Sequence, residues 1–376
     1  MLYLDHNATA PLCEAARTAW MEAKERFYAN PSSLHRAGQR AEHALESARE
    51  SLAEILGCPP SQVVWTSGAT EAANAVLASL AFLMEGVLLI SPTEHPCVLE
   101  PAKRWFAGRL RFLSCDRWGR VDAAEIEEML RAEAACGVVV MAANNESGVL
   151  QPWARVAEIC ARAGVPFVCD ATQWIGRLSP AGLEECSYVF GSTHKVGGPV
   201  GTGFLKLPTG GKDAWRALLL GGAQEEGRRA GTQDVAGALA LIATLRDRQR
   251  RLSETGQRTT LRTATEEALK TGIPGIEIVG EGADRLWNTI SVLLPPPLDC
   301  RRRWVVRLDA AGVAASSGSA CASGKEAPSH VLSAMGLEKC ADRVVRLSGG
   351  WETSREDWQR AVSVLQEVAL ERGFVR

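Results

Sequence analysis

The order of apolar and polar residues in the first two thirds of the chain predicts alternating helices and strands. The clearest helix covers residues 40–57 and ends at a glycine that is followed by two prolines. Apolar residues recur on one of its faces at helical spacing, namely Ala41, Leu45, Ala48, Leu52 and Ile55. This face is predicted to pack on the protein core.

Short runs of almost continuous apolar residues lie between the predicted helices. They open the segments "QVVWTSGAT", "GVLLISPTEH", "GVVVMAANNESG" and "VPFVCDATQ". Strands of this kind are typical of a parallel sheet that is covered by helices on both faces. The pattern therefore predicts an α/β fold with a mostly parallel sheet.

The alternation becomes less regular near Thr255, which indicates a second, smaller α/β unit. We predict a large domain over residues 15–255. The small domain is predicted to combine residues 1–14 with residues 256–376, and its last helix contains "EDWQRAVSVLQEVAL". Within it, residues 295–304 ("PPPLDCRRRW") are predicted as an exposed connection.

Composition excludes several classes of function. The 376 residues are 46% hydrophobic and 23% charged, as in ordinary globular proteins, and the net charge of −2 gives no preference for nucleic acids. No apolar stretch approaches the roughly 20 residues that span a bilayer, and the start has no signal-peptide pattern. The 11 cysteines include no CxxC pair, which favours a reducing cytoplasm and gives no metal spacing.

Polar residues follow several predicted strands at their carboxyl ends, where ligands bind in open parallel sheets. They are the "SGAT" turn at 67–70, His95, Asn144 with Asn145, Asp170, and His194 with Lys195. Each alone has a structural explanation, such as a helix cap, a turn or a surface lysine. Together they favour a single ligand at this edge of the sheet.

Pyridoxal phosphate is the ligand that fits these residue types. It needs a lysine amine for a Schiff base and an acid against its pyridine nitrogen. It also needs a phosphate cradle, for which the N–H groups at a helix start are suited, and a ring to stack on. Lys195, Asp170, the turn at 67–70 and His95 could supply these groups.

The motifs that contain these residues resemble those of the class I cysteine desulfurases, the NifS and IscS type, within the fold type I aminotransferase superfamily. The resemblance covers nearly the whole chain. It rests on "YLDHNATA", "TSGATEAAN", "EHPCVLEP", "NNESGVLQP", "DATQWIGR", "GSTHKVGGPVG", "QEEGRRAGTQDV", "SSGSACASG" and "RLSGG", in that order. It implies a mostly parallel seven-stranded sheet between helices, with a smaller α/β C-terminal domain.

The resemblance also implies a role for each matching residue. Lys195 would hold the cofactor and move the substrate α-proton, and Asp170 would pair with the pyridine nitrogen. His95 would stack on the ring and act as a catalytic residue in proton transfer. Gln173 would bond the ring hydroxyl oxygen, and Arg346 with Asn145 would bind the substrate carboxylate. The phosphate would be held by Ala69, Thr70, Ser192 and His194, and by Thr232 of a neighbouring subunit, which implies a homodimer.

Cys321 determines the reaction class that the resemblance implies. It lies in "SSGSACASG", a run of small polar residues that favours a loop. In the family this cysteine takes the sulfur of L-cysteine as a persulfide and alanine is released. The other ten cysteines are interpreted as small buried apolar residues.

The chain departs from the family pattern at several positions. His6 stands where asparagine is usual, Ala223 replaces a glycine, Cys97 follows the ring histidine, and the chain ends soon after "RLSGG". These departures leave the sulfur-acceptor protein open among iron–sulfur assembly, tRNA thiolation and DNA phosphorothioation.

Two alternatives remain on the same fold. One is another enzyme with this cofactor, such as a selenocysteine lyase or a small-amino-acid aminotransferase. The loop thiol of Cys321 argues against the aminotransferase, but a selenocysteine lyase also uses a cysteine. The other alternative is a non-catalytic subunit, and the joint presence of Lys195, Asp170, His95 and Cys321 argues against it.

Overall fold

A computed structural model describes residues 1–210, 214–295, 301–317 and 328–370. The α-helices are α1 (Glu14–Arg26), α2 (Arg36–Leu56), α3 (Ala69–Leu83), α4 (Pro96–Trp105), α5 (Ala123–Ala132), α6 (Trp153–Ala163), α7 (Val235–Arg251), α8 (Thr255–Gly272), α9 (Arg301–Ala310), α10 (His330–Ala334) and α11 (Arg355–Leu370). The strands are β1 (Leu2–Tyr3), β2 (Val63–Thr66), β3 (Val87–Ile90), β4 (Leu110–Phe112), β5 (Ala135–Val139), β6 (Phe167–Asp170), β7 (Tyr188–Ser192), β8 (Gly203–Lys206), β9 (Glu277–Ile278), β10 (Thr289–Leu293), β11 (Val313–Ala314) and β12 (Val344–Ser348). Within these ranges no helix is long and apolar enough to cross a membrane.

A seven-stranded sheet forms the centre of the molecule, with the strand order β2-β8-β7-β6-β5-β3-β4. Neighbouring strands from β4 to β7 are parallel, and β8 is antiparallel to both of its neighbours. The predicted mostly parallel α/β fold is therefore confirmed. Asp170 pairs with Phe190 across β6 and β7, so the carboxyl ends of these two strands lie side by side.

Helices cover both faces of this sheet and bury its apolar residues. On one face, α2 buries Ala41, Leu45, Ala48 and Leu52, four of the five residues predicted to face the core, while Ile55 is partly buried. The helix ends at Gly57, whose φ of 68° lies in the left-handed region that favours glycine. On the other face, α3 and α4 pack against β3, β5 and β7.

The C-terminal part of the chain forms a three-stranded antiparallel sheet, in the order β12-β10-β9. Helices α8, α9 and α11 pack against it around Trp304, which is 1% exposed. The prediction of an exposed connection over 295–304 is wrong at its end, where residues 301–304 begin α9 and Trp304 is buried, whereas residues 296–300 lie outside the described residues. Burial of the apolar indole of Trp304 in this core is energetically favourable, and the helix orients the side chain toward the core. The domain limits predicted above stay a prediction.

The N-terminal residues connect the small sheets with the central one. β1 pairs in parallel with β11, and the Asp5 backbone forms a bridge with Ser348. The next residues reach the end of β7, where the Ala10 amide donates to the His194 carbonyl. Residues 5–10 therefore line the carboxyl edge of the central sheet.

Candidate active site

Five polar groups that the sequence predicts together do meet at the carboxyl edge of the central sheet. His95 follows β3, Asn145 follows β5, Asp170 ends β6, and Ser192 ends β7, one short turn before Lys195. The order of the parallel strands makes this edge a single surface. The helix α3 begins at the same edge, directly after β2.

Asp170 is a buried acid at the carboxyl end of β6. One carboxylate oxygen, Oδ1, accepts the Thr172 amide at 2.8 Å. Burial raises the pKa of Asp170, while the hydrogen bond from Thr172 and the charge of Lys195 act in the opposite direction. A buried acid of this kind gains most from a nearby positive charge, such as a protonated pyridine nitrogen.

Lys195 extends its amine toward the N-terminal segment. Its Nζ donates to the backbone carbonyls of Asn7 at 2.9 Å and Ala8 at 2.6 Å. The charge of this amine also acts on Asp170 and on His95. Lys195 is therefore close to both groups that the sequence assigns to the cofactor ring.

Gln173 lies beside these groups and has a buried oxygen without a partner. Its Nε2 donates to the Asn7 carbonyl at 3.0 Å, so that this carbonyl accepts from both Gln173 and Lys195. The Oε1 atom is buried and has no hydrogen-bond partner among the described residues. Such atoms are rare in folded proteins, and this one indicates a place for a polar ligand group.

The start of α3 has the features of a phosphate cradle. Gly68 precedes the helix with a φ of 149°, and a Cβ added to Gly203 would lie 2.5 Å from the Gly68 Cα. The backbone at this point therefore tolerates no side chain. Ser192 Oγ accepts the Ala69 amide at 2.7 Å, which brings β7 to the first turn of α3. Amides in the first turn of a helix have no partner within the helix and suit an anion.

His194 and Thr70 complete the predicted phosphate contacts. The Nδ1 atom of His194 lies 3.1 Å from Thr9 Oγ1. Burial, followed by the charges of Lys195 and Arg177, lowers the pKa of His194 to about 4. Thr70 lies in the first turn of α3.

His95 is held as a neutral imidazole. It is the N-cap of α4, and its Nδ1 accepts the Cys97 amide at 3.1 Å, so the ring proton resides on Nε2. Burial, followed by the charges of Lys195 and His330, lowers its pKa to about 4. A neutral ring in this position can stack on an aromatic ligand without charge repulsion from Lys195.

Cys97, the extra thiol next to His95, is a half-buried cysteine. Burial, followed by the negative charge of Asp170, raises its pKa. Since the thiolate is the reactive form, this environment suppresses nucleophilic chemistry at Cys97.

Arg346 is fully buried on β12, with its guanidinium turned toward the site. Its Nη1 donates to the Asn145 carbonyl at 2.8 Å, and its Nη2 pairs with Asp5 Oδ1 at 2.6 Å. Its backbone exchanges two hydrogen bonds with Ser316. Arg346 thus brings the predicted carboxylate-binding pair together.

Two of the predicted site residues are not brought to this cluster within the described chain. Thr232 is exposed on the loop before α7, and no hydrogen bond connects it with the other site residues described. Cys321 lies outside the described residues, in the stretch 318–327.

The sequence prediction missed Asn7, although it lies in the "YLDHNATA" motif. Its Nδ2 donates to the Asn145 carbonyl at 3.1 Å and to Thr289 Oγ1 at 2.9 Å, while its own carbonyl accepts from Lys195 and Gln173. Two of these hydrogen bonds use the Asn7 backbone carbonyl, which every residue type has, so residue type alone could not identify the position. The signal available in the sequence was the motif "YLDHNATA" itself.

The chain matches the family model described as "Aminotransferase class-V" over residues 2–360. It is 36% identical to cysteine desulfurase 2 of Trichormus variabilis, over 90% of this chain and 85% of the relative. It is 32% identical to cysteine desulfurase IscS of Dictyoglomus turgidum, over 98% of this chain and 94% of the relative. A solved NifS-like protein superposes with a TM-score of 0.88 and 29% identity, covering 98% of this chain and 99% of that structure.

Proposed function

Because the chain belongs to the aminotransferase class-V family, and within it to the NifS and IscS type, we propose that it is a cysteine desulfurase that uses pyridoxal phosphate. The reaction converts L-cysteine to L-alanine and leaves the sulfur on the enzyme. The observation that carries this proposal is that Lys195 lies close enough to buried Asp170, at one edge of the sheet, for its charge to act on that acid. The family match extends over almost the entire chain.

The described residues fit this cofactor. The unpartnered Gln173 Oε1 offers a polar contact, and the close approach of Gly68 and Gly203 keeps side chains away from the backbone at the start of α3. When bound, pyridoxal phosphate supplies an electron-withdrawing ring that stabilises negative charge at the substrate α-carbon. Asp170 would hold the ring nitrogen, neutral His95 would stack on the ring, and Lys195 would hold the cofactor and carry the α-proton on Nζ.

Arg346 is assigned to the substrate carboxylate, together with Asn145. A planar guanidinium suits a carboxylate because two N–H groups meet two oxygens. Arg346 already binds one carboxylate, that of Asp5, at 2.6 Å. We propose that the carboxylate of L-cysteine replaces Asp5 at part of the Arg346 guanidinium when the substrate binds.

Cys321 is assigned as the sulfur acceptor. Its thiolate attacks the substrate sulfur, the substrate carbon–sulfur bond breaks, and the carbon keeps the electron pair and takes a proton. The products are alanine and a persulfide on Cys321, so the step needs no external oxidant. The raised pKa of the half-buried Cys97 thiol, which follows His95, supports this assignment because that thiol is poorly suited to the step.

The finer assignments are a homodimer, a cytoplasmic location and a sulfur-acceptor protein. Thr232 is exposed in the single chain, which leaves it accessible to the cofactor phosphate of a second copy. Nine described cysteines are free thiols, as expected in a reducing compartment. The acceptor belongs to iron–sulfur assembly, tRNA thiolation or DNA phosphorothioation.

The test is turnover of L-cysteine with a thiol reductant, with alanine measured as the product. Wild type and Cys97→Ala should form alanine, whereas Cys321→Ala should bind the cofactor normally and form none. Cys97→Ala is the matched control because it removes the half-buried thiol that follows His95. Alanine formation by Cys321→Ala at the wild-type rate would exclude the proposed role. Turnover of L-selenocysteine, measured in parallel, distinguishes a cysteine desulfurase from the alternative, a selenocysteine lyase.

A further inference from the structure

Glu94 is a buried acid that the reaction scheme above does not use. It precedes His95 in the chain, and its side chain is completely buried. Its Oε1 accepts the Met141 amide at 2.5 Å, and its Oε2 has no hydrogen-bond partner among the described residues. The described ion pairs include no cation for it.

A second acid, Asp170, lies close enough to Glu94 for its charge to act on it. The Met141 amide donates to Glu94. The next amide, that of Ala142, donates to the Asp170 backbone carbonyl at 2.9 Å. The Glu94 side chain and the Asp170 backbone therefore bind adjacent amides just after β5. The titratable groups that face Glu94 are Asp170 and Cys169 from β6, His95 and Cys97 from α4, and His330 from α10.

An ionised Glu94 would be a buried charge with one hydrogen bond and a second acid nearby. Both conditions disfavour the charged form. Consistently, burial and the charge of Asp170 raise the pKa of Glu94 well above its usual range. Of two neighbouring acids, the one with a cation available keeps the charge, and Lys195 acts on Asp170.

We propose that Glu94 is a positioning residue that remains a neutral carboxylic acid in the working enzyme and leaves Asp170 as the single negative charge available to the cofactor nitrogen. The proposal rests on the assignment of Asp170 in the proposed function. Glu94 also accepts the His330 Nε2–H on its backbone carbonyl at 2.7 Å, and so holds α10 against the segment that carries His95.

The same acid-to-amide change at both sites separates the two roles. Glu94→Gln keeps the size and neutrality of the side chain, so we expect cofactor affinity within about twofold of wild type and an unchanged absorbance spectrum. Asp170→Asn removes the charge that faces the ring, so we expect most of the bound cofactor to be lost. Loss of cofactor in Glu94→Gln to the same extent would overturn the proposal.

A second readout needs neither cofactor nor activity. In the unfolded chain Glu94 ionises above about pH 4.3, whereas the folded protein keeps it protonated, so wild type loses stability as the pH rises. The unfolding equilibrium constant of wild type relative to Glu94→Gln should rise by up to about tenfold per pH unit between pH 5 and 8. Glu100→Gln, on the exposed side of α4, should show no such trend. A ratio independent of pH, or one that falls, would contradict a neutral Glu94.

Infrared spectroscopy of the wild-type holoenzyme provides a test that does not depend on the variant folding. At pH 8 the exposed acids are ionised, so a remaining carboxylic-acid carbonyl band reports a buried protonated acid. We expect this band in wild type and its absence in Glu94→Gln. Its absence in wild type would refute the proposal. If Asp170→Asn instead retained full cofactor affinity, the proposed function would fail while the infrared result on Glu94 would stand.

Discussion

Among single residues, His6 shows how burial determines charge close to the site. It is 8% exposed, and a Cβ on Gly350 would lie 2.3 Å from its Cε1, so the ring packs directly on that backbone. Burial, followed by the charge of Arg177, lowers the pKa of His6 to about 4. His6 is therefore neutral in the folded protein at neutral pH.

This neutrality predicts a pH-dependent loss of stability. Below about pH 6.5 an unfolded histidine binds a proton, while the folded His6 stays neutral until pH 4. Stability contributed by neutral His6 is complete above pH 6.5 and falls by roughly 1.4 kcal/mol per pH unit as the pH drops toward 4. His6→Asn should remove this dependence.

The measurement is urea denaturation of wild type and His6→Asn between pH 4.5 and 7.5. The difference between their unfolding free energies should change with pH below 6.5 and stay constant above it. A difference that is constant over the whole range would mean that His6 has the same pKa in the folded and the unfolded chain.

The polar residues at the strand ends could be predicted from the sequence because each strand end is a short, recognisable pattern. Asp170 and Lys195 lie where that reasoning places them. Glu94 was not predicted as a site residue. The strand-end pattern does not distinguish Glu94 from His95, and the family resemblance gives a role to His95 alone. Only the structure shows that one carboxyl oxygen of Glu94 has no described partner.

At the scale of elements, the loop before α7 is held by two ion pairs between arginine and glutamate. Arg49 of α2 binds both carboxylate oxygens of Glu225, at 2.7 and 2.9 Å, and Glu225 also accepts the Trp65 amide. Arg229 binds Glu71 in the first turn of α3. The loop that carries Thr232 is therefore fixed to the helix that begins at the phosphate cradle.

The backbone of Glu225 has a φ of 51°, in the left-handed region that residues other than glycine rarely adopt. Glu225→Gln would remove the buried carboxylate that pairs with Arg49 and leave it only the more exposed Glu46, and breaking a buried pair typically costs about 3–5 kcal/mol. We expect a lower melting temperature and weaker cofactor retention. Glu226→Gln is the matched control, because Glu226 has a φ of 56° but an exposed side chain, and it should behave like wild type. Equal effects of the two changes would exclude the ion pair as the cause.

Helices with a regular apolar face were predictable as elements, and α2 is the clearest example. The segment 295–304 was not, because its prolines and arginines are typical of an exposed loop. The helix begins at Arg301, and Trp304 is buried against residues distant in the sequence. Its burial depends on tertiary contacts that no local pattern contains.

At the scale of the whole molecule, the proposed dimer predicts that two inactive variants can restore each other. Lys195→Ala lacks the cofactor lysine of its own site, and Thr232→Ala lacks the contact that it would give to its partner. In a mixed dimer, the subunit with Thr232→Ala keeps its own Lys195 and receives an intact Thr232. Random co-assembly would leave about a quarter of all sites complete.

The variants should be co-expressed with different tags, and the doubly tagged dimer should be purified and assayed for alanine formation. We expect activity well above that of either parent. A mixed dimer no more active than its parents, or sedimentation as a single 40.4 kDa chain, would contradict the shared site.

The most direct test of the central claim locates the sulfur on the enzyme. Wild type loaded with cofactor is treated with L-cysteine in the absence of reductant, thiols are blocked, and the digested peptides are weighed by mass spectrometry. We predict one added sulfur on the peptide that contains Cys321, with alanine in equal amount and no addition at Cys97. Sulfur on Cys97, or alanine formed without sulfur on Cys321, would contradict the account.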